Sequence, residues 1–162
     1  MSVFNKINDN IASLLFRIGM VGSFVILAVT FLNVLARYLF NSPFYWAEEV
    51  SSITFILLSL FPAAEIWKRR SHINFEIVNK KLSLKNQNIL EIIICLISMV
   101  FTGVLTWQTF KATHMVYVGR MKEPSLLGTP LWIPYSIMLL GMAALFLRFF
   151  STFWEDVKKI GK

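Results

Sequence analysis

Residues 18–36 read IGMVGSFVILAVTFLNVLA and contain no charged side chain. A helix crossing hydrocarbon about 30 Å thick needs about 20 apolar residues, so this stretch is long enough. Two further runs match it. Ile92 to Phe110 and Pro124 to Leu147 are also free of charge. The fourth candidate is shorter: Val50 to Ala64 lies between Glu49 and Glu65. Extended to Trp46 and Trp67 it reaches spanning length, with the carboxylates near the two head-group regions. A bilayer offers no partners to backbone N–H and C=O groups, so each crossing must satisfy them internally as a helix. The chain therefore reads as an all-α integral membrane protein, one membrane domain over residues 1–162. Its four transmembrane helices are expected at about 17–38, 46–67, 89–110 and 131–153.

The composition agrees. Hydrophobic residues make up 56% of the 162 and charged residues only 15%. The mean hydropathy of +0.63 is too high for a small soluble domain, which must keep a polar skin. The lack of long polar stretches excludes a disordered chain. A single cysteine, Cys95, excludes a disulfide scaffold. All five tryptophans fall at the expected boundaries: Trp46, Trp67, Trp107, Trp132 and Trp154. Indole combines an apolar body with one N–H donor and favours the membrane interface, so these residues read as interface anchors. The first run is too long for a signal-peptide core and no small-residue cleavage site follows it. Arg37-Tyr38-Leu39-Phe40 follows instead, and the segment is read as retained.

The net charge of +7 admits three readings: nucleic acid, an anionic substrate or a membrane surface. The positions of the charges decide. Four spans put both chain ends on one side. That side carries Lys6, Arg17, Lys68, Arg69, Arg70, Lys80, Lys81, Lys85, Arg148, Lys158, Lys159 and Lys162. The other side carries Arg37, Lys111, Arg120 and Lys122. Short loops rich in Lys and Arg stay cytoplasmic, so both termini are expected inside. The basic residues hug span ends, where they meet lipid head groups of the bilayer. A nucleic-acid reader needs a basic face on a soluble module, and none is present, so no nucleic-acid partner is expected.

The connections carry weaker patterns. Val3, Phe4, Ile7, Ile11, Leu14, Leu15 and Ile18 recur at helical spacing, with Lys6, Asp9, Asn10, Ser13 and Arg17 opposite. This is either a short amphipathic helix at the interface or a plain extension of the first span. Phe75, Val78 and Leu82 suggest a second short interfacial helix in the link Lys68 to Gln87, and Ser83 can cap the helix after it. Gly119, Pro124, Gly128 and Pro130 make the second outer loop a structured turn. Pro62 sits inside the second span near its cytoplasmic end, where it removes a helix bond and is expected to kink or widen the last turn.

No catalytic constellation is visible. His72 and His114 lie on opposite sides of the expected topology, so they cannot jointly hold haem or a metal. Cys95 lies in an apolar run that disfavours a thiolate, and reads as packing. The chain is not expected to be an enzyme, and no cofactor is expected. Nor does any span carry a charge near its centre, as a self-sufficient transporter usually requires. Asn33 is the one strongly polar residue well inside a span, and the common role there is a hydrogen bond to a neighbouring helix. The remaining charges lie at span ends. Arg37 ends the first helix, and Glu48 and Glu49 begin the second on the same side, where carboxylates suit the positive pole of a helix. They form either an ion pair tying the hairpin or a contact with another subunit.

A family resemblance gathers these features. Arg37-Tyr38-Leu39-Phe40, then Pro43, then Trp46-Ala47-Glu48-Glu49 resembles the signature after the first helix of the small membrane subunit of TRAP transporters. These are tripartite ATP-independent periplasmic transporters, and the subunit is called DctQ-like or Q. Ala63-Ala64 and His72-Ile73-Asn74-Phe75-Glu76 continue the likeness. So do Ser125-Leu126-Leu127-Gly128-Thr129-Pro130-Leu131-Trp132-Ile133-Pro134-Tyr135 and Gly141. The chain departs from the family pattern at Pro62, where glycine is common, and at Ser83, where proline is frequent. The resemblance implies a scaffold role in the bacterial inner membrane, with no substrate site of its own. The expected partners are a large membrane subunit, which holds the substrate and sodium sites, and a periplasmic substrate-binding protein. The implied cargo is an organic acid of the C4-dicarboxylate or sialic acid type. Two other classes stay open on the residues alone: a self-contained small four-helix exporter acting as a homodimer, and a non-transporting membrane adaptor.

Overall fold

In a computed structural model, residues 2–70, 84–125 and 127–160 are described. They form five helices: α1 (Ser2–Leu39), α2 (Ala47–Leu60), α3 (Ala63–Arg70), α4 (Leu84–Val118) and α5 (Trp132–Ile160). Four stretches are long and apolar enough to cross a membrane: Ile7–Leu39, Ala47–Trp67, Ile89–Val118 and Trp132–Glu155. The chain is an all-α membrane protein. The helices run beyond the apolar cores that reveal them: α1 begins at Ser2, well before Ile18, and α4 continues past Phe110 to Val118.

The first helix answers one open question. Residues 2–39 form one continuous helix, so the lead-in is an extension of the first span. Its apolar residues Ile7, Ile11 and Leu14 face outward, and Asn8 and Ala12 are buried. Asp9 and Ser13 are half-buried, whereas Asn10 and Arg17 stay exposed, so the polar face is only partly turned to the protein. The expected second amphipathic helix with Phe75, Val78 and Leu82, the Ser83 cap and His72 lies outside the described residues.

α1 packs on α2, and α4 packs on α5. The two hairpins join where α5 meets α2, α3 and the first half of α1, and α4 stands at the edge with α5 as its chief neighbour. The buried residues are mostly small: Ala12, Ala36, Ala47, Ala64, Cys95 and Ala144. Lipid tails are as apolar as a leucine, so burial alone drives nothing, and close backbone approach with interhelical hydrogen bonds must hold the bundle. Along α4 the buried positions are Cys95, Thr102, Thr109 and Val116. A repeat of seven marks a seam that keeps facing its partner helix.

The second span is broken at Phe61-Pro62, between α2 and α3. Proline lacks an N–H and its ring crowds the preceding turn. The break is nonetheless held. Phe61 N donates to Leu57 O at 3.0 Å and Ile66 N to Pro62 O at 2.9 Å. Two glycines on the flanking helices make room. A Cβ on Gly19 of α1 would lie 2.6 Å from Pro62 Cγ, and one on Gly141 of α5 would lie 2.7 Å from Leu60 Cβ.

The ends of the bundle have different polar ties. At the end that carries the chain termini, Asn8 Nδ2 donates to Ser151 Oγ at 2.9 Å and to Leu147 O at 3.3 Å. Arg148 Nη1 donates to Asp9 Oδ1 at 2.7 Å. These bonds fasten α1 to α5. Beside them, Cys95 Sγ donates to Phe149 O at 3.2 Å and fastens α4 to α5. Cys95 is thus a packed interhelical contact.

Candidate functional site

The opposite end carries the α1–α2 and α4–α5 loops and is called the loop end below. Asn33 sits two turns before the end of α1, and its Oδ1 accepts from Phe44 N at 2.8 Å. The expected polar contact is made, but to loop backbone rather than to a neighbouring helix. It folds the connection Phe40 to Trp46 back over the end of α1. Asn41 takes a positive φ of 52° within that turn, a conformation its short polar side chain tolerates.

Arg37 and Glu48 come together as the hairpin suggests. Arg37 Nη2 lies 4.0 Å from Glu48 Oε1, and both side chains are mostly exposed. Glu49 does not join them. Successive helical residues point about 100° apart, since a turn takes about 3.6 residues. Glu49 faces inward and is buried. Its Oε2 accepts from Ser125 Oγ at 2.8 Å, and its Oε1 accepts from Thr129 N at 3.0 Å. Ser125 Oγ in turn accepts from Gly128 N at 3.2 Å. One carboxylate of α2 thereby holds the tip of the α4–α5 loop.

That loop is built for the contact. α4 closes with Arg120 at φ 47°, Arg120 N on Tyr117 O at 3.2 Å and Met121 N on Val116 O at 3.1 Å. This left-handed stop pairs the last carbonyls of the helix. The chain then doubles back through a bridge between Lys122 and Pro130, with Glu123 N on Thr129 O at 3.0 Å. Gly128 supplies a φ of 61° at the tip. Thr129 and Ser125 are missed by a search for catalytic residues. Their only trace is polar residues flanking the Gly128 turn opposite a helix that starts with two glutamates.

A cleft of about 670 Å³ opens between α2, this loop and the start of α5. Glu48, Glu123, Ile53, Ile56 and Met138 are among the residues that line it. Among the described residues, no cluster of His, Cys, Asp and Glu could hold a metal.

The tryptophans divide. Trp46 precedes α2 and Trp132 begins α5, both half-exposed at the loop end. Trp107 lies eleven residues inside the end of α4, with Lys111 Nζ 5.4 Å from its ring. Trp154 lies exposed near the end of α5. Trp67 is half-buried: it packs on Phe149 at 4.8 Å between ring centroids, and its Nε1 is buried.

These features define a small multi-pass membrane protein, two helical hairpins clasped at both ends. The family described as "Tripartite ATP-independent periplasmic transporters, DctQ component" matches residues 26–159, and the chain belongs to this family. It is similar to the isethionate TRAP transporter permease protein DctMQ of Oleidesulfovibrio alaskensis, with 25% identity over 116 residues. That match covers 72% of this chain and 18% of the relative. It is also similar to the C4-dicarboxylate TRAP transporter small permease protein DctQ of Vibrio cholerae, with 25% identity over 150 residues. There the match covers 80% of this chain and 65% of the relative. The chain thus spans less than two thirds of either relative's length.

Proposed function

We propose that this TRAP small permease subunit is the stationary scaffold of a sodium-coupled importer in the bacterial inner membrane. It sits with both termini in the cytoplasm and the loop end in the periplasm. It supports a large permease that holds the substrate and sodium sites, and a periplasmic binding protein delivers the cargo. The cargo is an organic acid of the C4-dicarboxylate or sialic acid type. One observation carries the reading: the family match runs through a bundle whose edge helix keeps a wide apolar face uncovered. On α4, Ile97, Phe101 and Val104 are all exposed, and among the described residues only α5 packs closely against the helix. The relatives' names support organic acids as the cargo class, and the DctMQ relative supports pairing with a larger permease.

Reconstitution tests it. Proteoliposomes containing this chain alone are expected to take up no organic acid in a sodium gradient. Adding the large permease and the binding protein restores uptake. Uptake by the chain alone overturns the scaffold reading and favours a self-contained transporter.

A further inference from the structure

The uncovered side of α4 is not apolar along its whole length. The buried seam of Cys95, Thr102, Thr109 and Val116 faces α5. Ile97, Val104, Lys111 and Val118 each stand two residues beyond a seam position, about 200° round the helix. All four are exposed, as are Trp107 and His114 beside them. An apolar row suits lipid and protein alike, but a row that holds an ammonium does not.

Lys111 stands deeper than the loop-end border. The other three spans agree on that border: α1 reaches Arg37, α2 begins beside Glu48, and α5 begins at Trp132. Tyr117 of α4 is level with it, because its ring meets Trp132 at 6.3 Å between centroids. Thr113 Oγ1 donates to Tyr135 O at 3.3 Å and fixes the same register. Lys111 lies six residues before Tyr117, about 9 Å further in along the axis. A lysine at such a depth normally extends its stem toward the head groups. This one is held the other way. Its Nζ lies 5.4 Å from the centre of the Trp107 ring, and Trp107 is a further turn in. Among the described residues no carboxylate pairs with it.

An exposed ammonium at acyl depth is costly, and such groups face a protein partner or a water-filled cavity. The Trp107 ring attracts the charge but supplies no counter-ion. A lipid phosphate stays at the level of Trp132, above the ammonium. In paired helices, one polar position within an apolar seam fixes register and choice of partner. Given the pairing with a large permease proposed above, we infer that this face of α4 docks a transmembrane helix of that permease, and that the helix presents a carboxylate to Lys111 between Trp107 and His114.

Co-expression with an affinity-tagged large permease tests this in two arms. The natural chain is expected to co-purify; its absence overturns the scaffold reading and the docking face with it. Lys111→Glu is expected to cut co-purification about ten-fold, and Lys111→Arg to retain it. Each variant alone is expected to keep the helical content and elution volume of the natural chain. Undiminished co-purification of Lys111→Glu overturns the docking face and leaves the scaffold reading standing. In the second arm a photo-crosslinking residue replaces Val104 in cells. Capture of the tagged permease supports the docking face. Lipid adducts alone, in a chain that still co-purifies, overturn it.

Discussion

Glu48 and Glu49 are chemically identical neighbours with opposite surroundings. Glu49 accepts two part-buried hydrogen bonds, and charge-assisted bonds of this kind are about twice as strong as neutral ones. Glu49→Gln is expected to lower the melting temperature of the purified protein by several degrees and to speed proteolysis of the 119–131 loop. Arg37→Ala removes only an exposed contact at 4.0 Å, so its effect on stability is expected within about 1 kcal/mol. Thermal melts of both variants in one detergent check the ranking; equal losses would refute it. The sequence shows that two carboxylates start this helix, because charge at a span end is conspicuous. Which of them turns inward depends on helix phase against a loop 76 residues away, and no local signal carries that. Asn8 and Asp9 were equally hidden. They read as part of a solvated face, yet these two turn toward α5 while Asn10 and Arg17 stay exposed.

At the scale of elements, the break at Pro62 was legible because proline cannot continue a helix bond. Its two glycine supports were not, since a glycine in a membrane helix has many uses. Gly19→Ala is expected to destabilise the bundle by about 1–2 kcal/mol, as crowding against the Pro62 ring outweighs the gain in helix propensity. Combining it with Pro62→Ala removes the crowding atom. The double-variant cycle should then show coupling of opposite sign to the single loss, measurable by denaturant unfolding. Additive effects would show that the two residues do not support each other. The clasp between α1 and α5 is a separate test. Arg148 is nearly buried, and its partner Asp9 is about one-third exposed. Arg148→Leu is therefore expected to cost about 1–3 kcal/mol, between the values of surface and buried pairs.

Across the whole molecule, three spans were read from apolar length and the fourth from a shorter run extended to its flanking tryptophans. The side-to-side order was not readable, because every helix face is apolar and hydropathy cannot choose a neighbour. Orientation can be tested with thiol chemistry. Cys95 is buried, so the natural chain has a quiet background. Arg120→Cys is expected to react with a membrane-impermeant maleimide in intact spheroplasts, and Val157→Cys only after lysis; the reverse pattern would invert the topology. The placement of α5 has one more consequence, and it concerns biogenesis. α5 leaves the ribosome after α1 to α4, yet it receives Asn8, Asp9 and Cys95, and its leading loop receives Glu49. Until it inserts, each of these polar groups lacks that partner. A nascent chain that stalls before Trp132 therefore displays unmet polar groups within the bilayer, a mark by which membrane quality control can tell an unfinished subunit from a finished one.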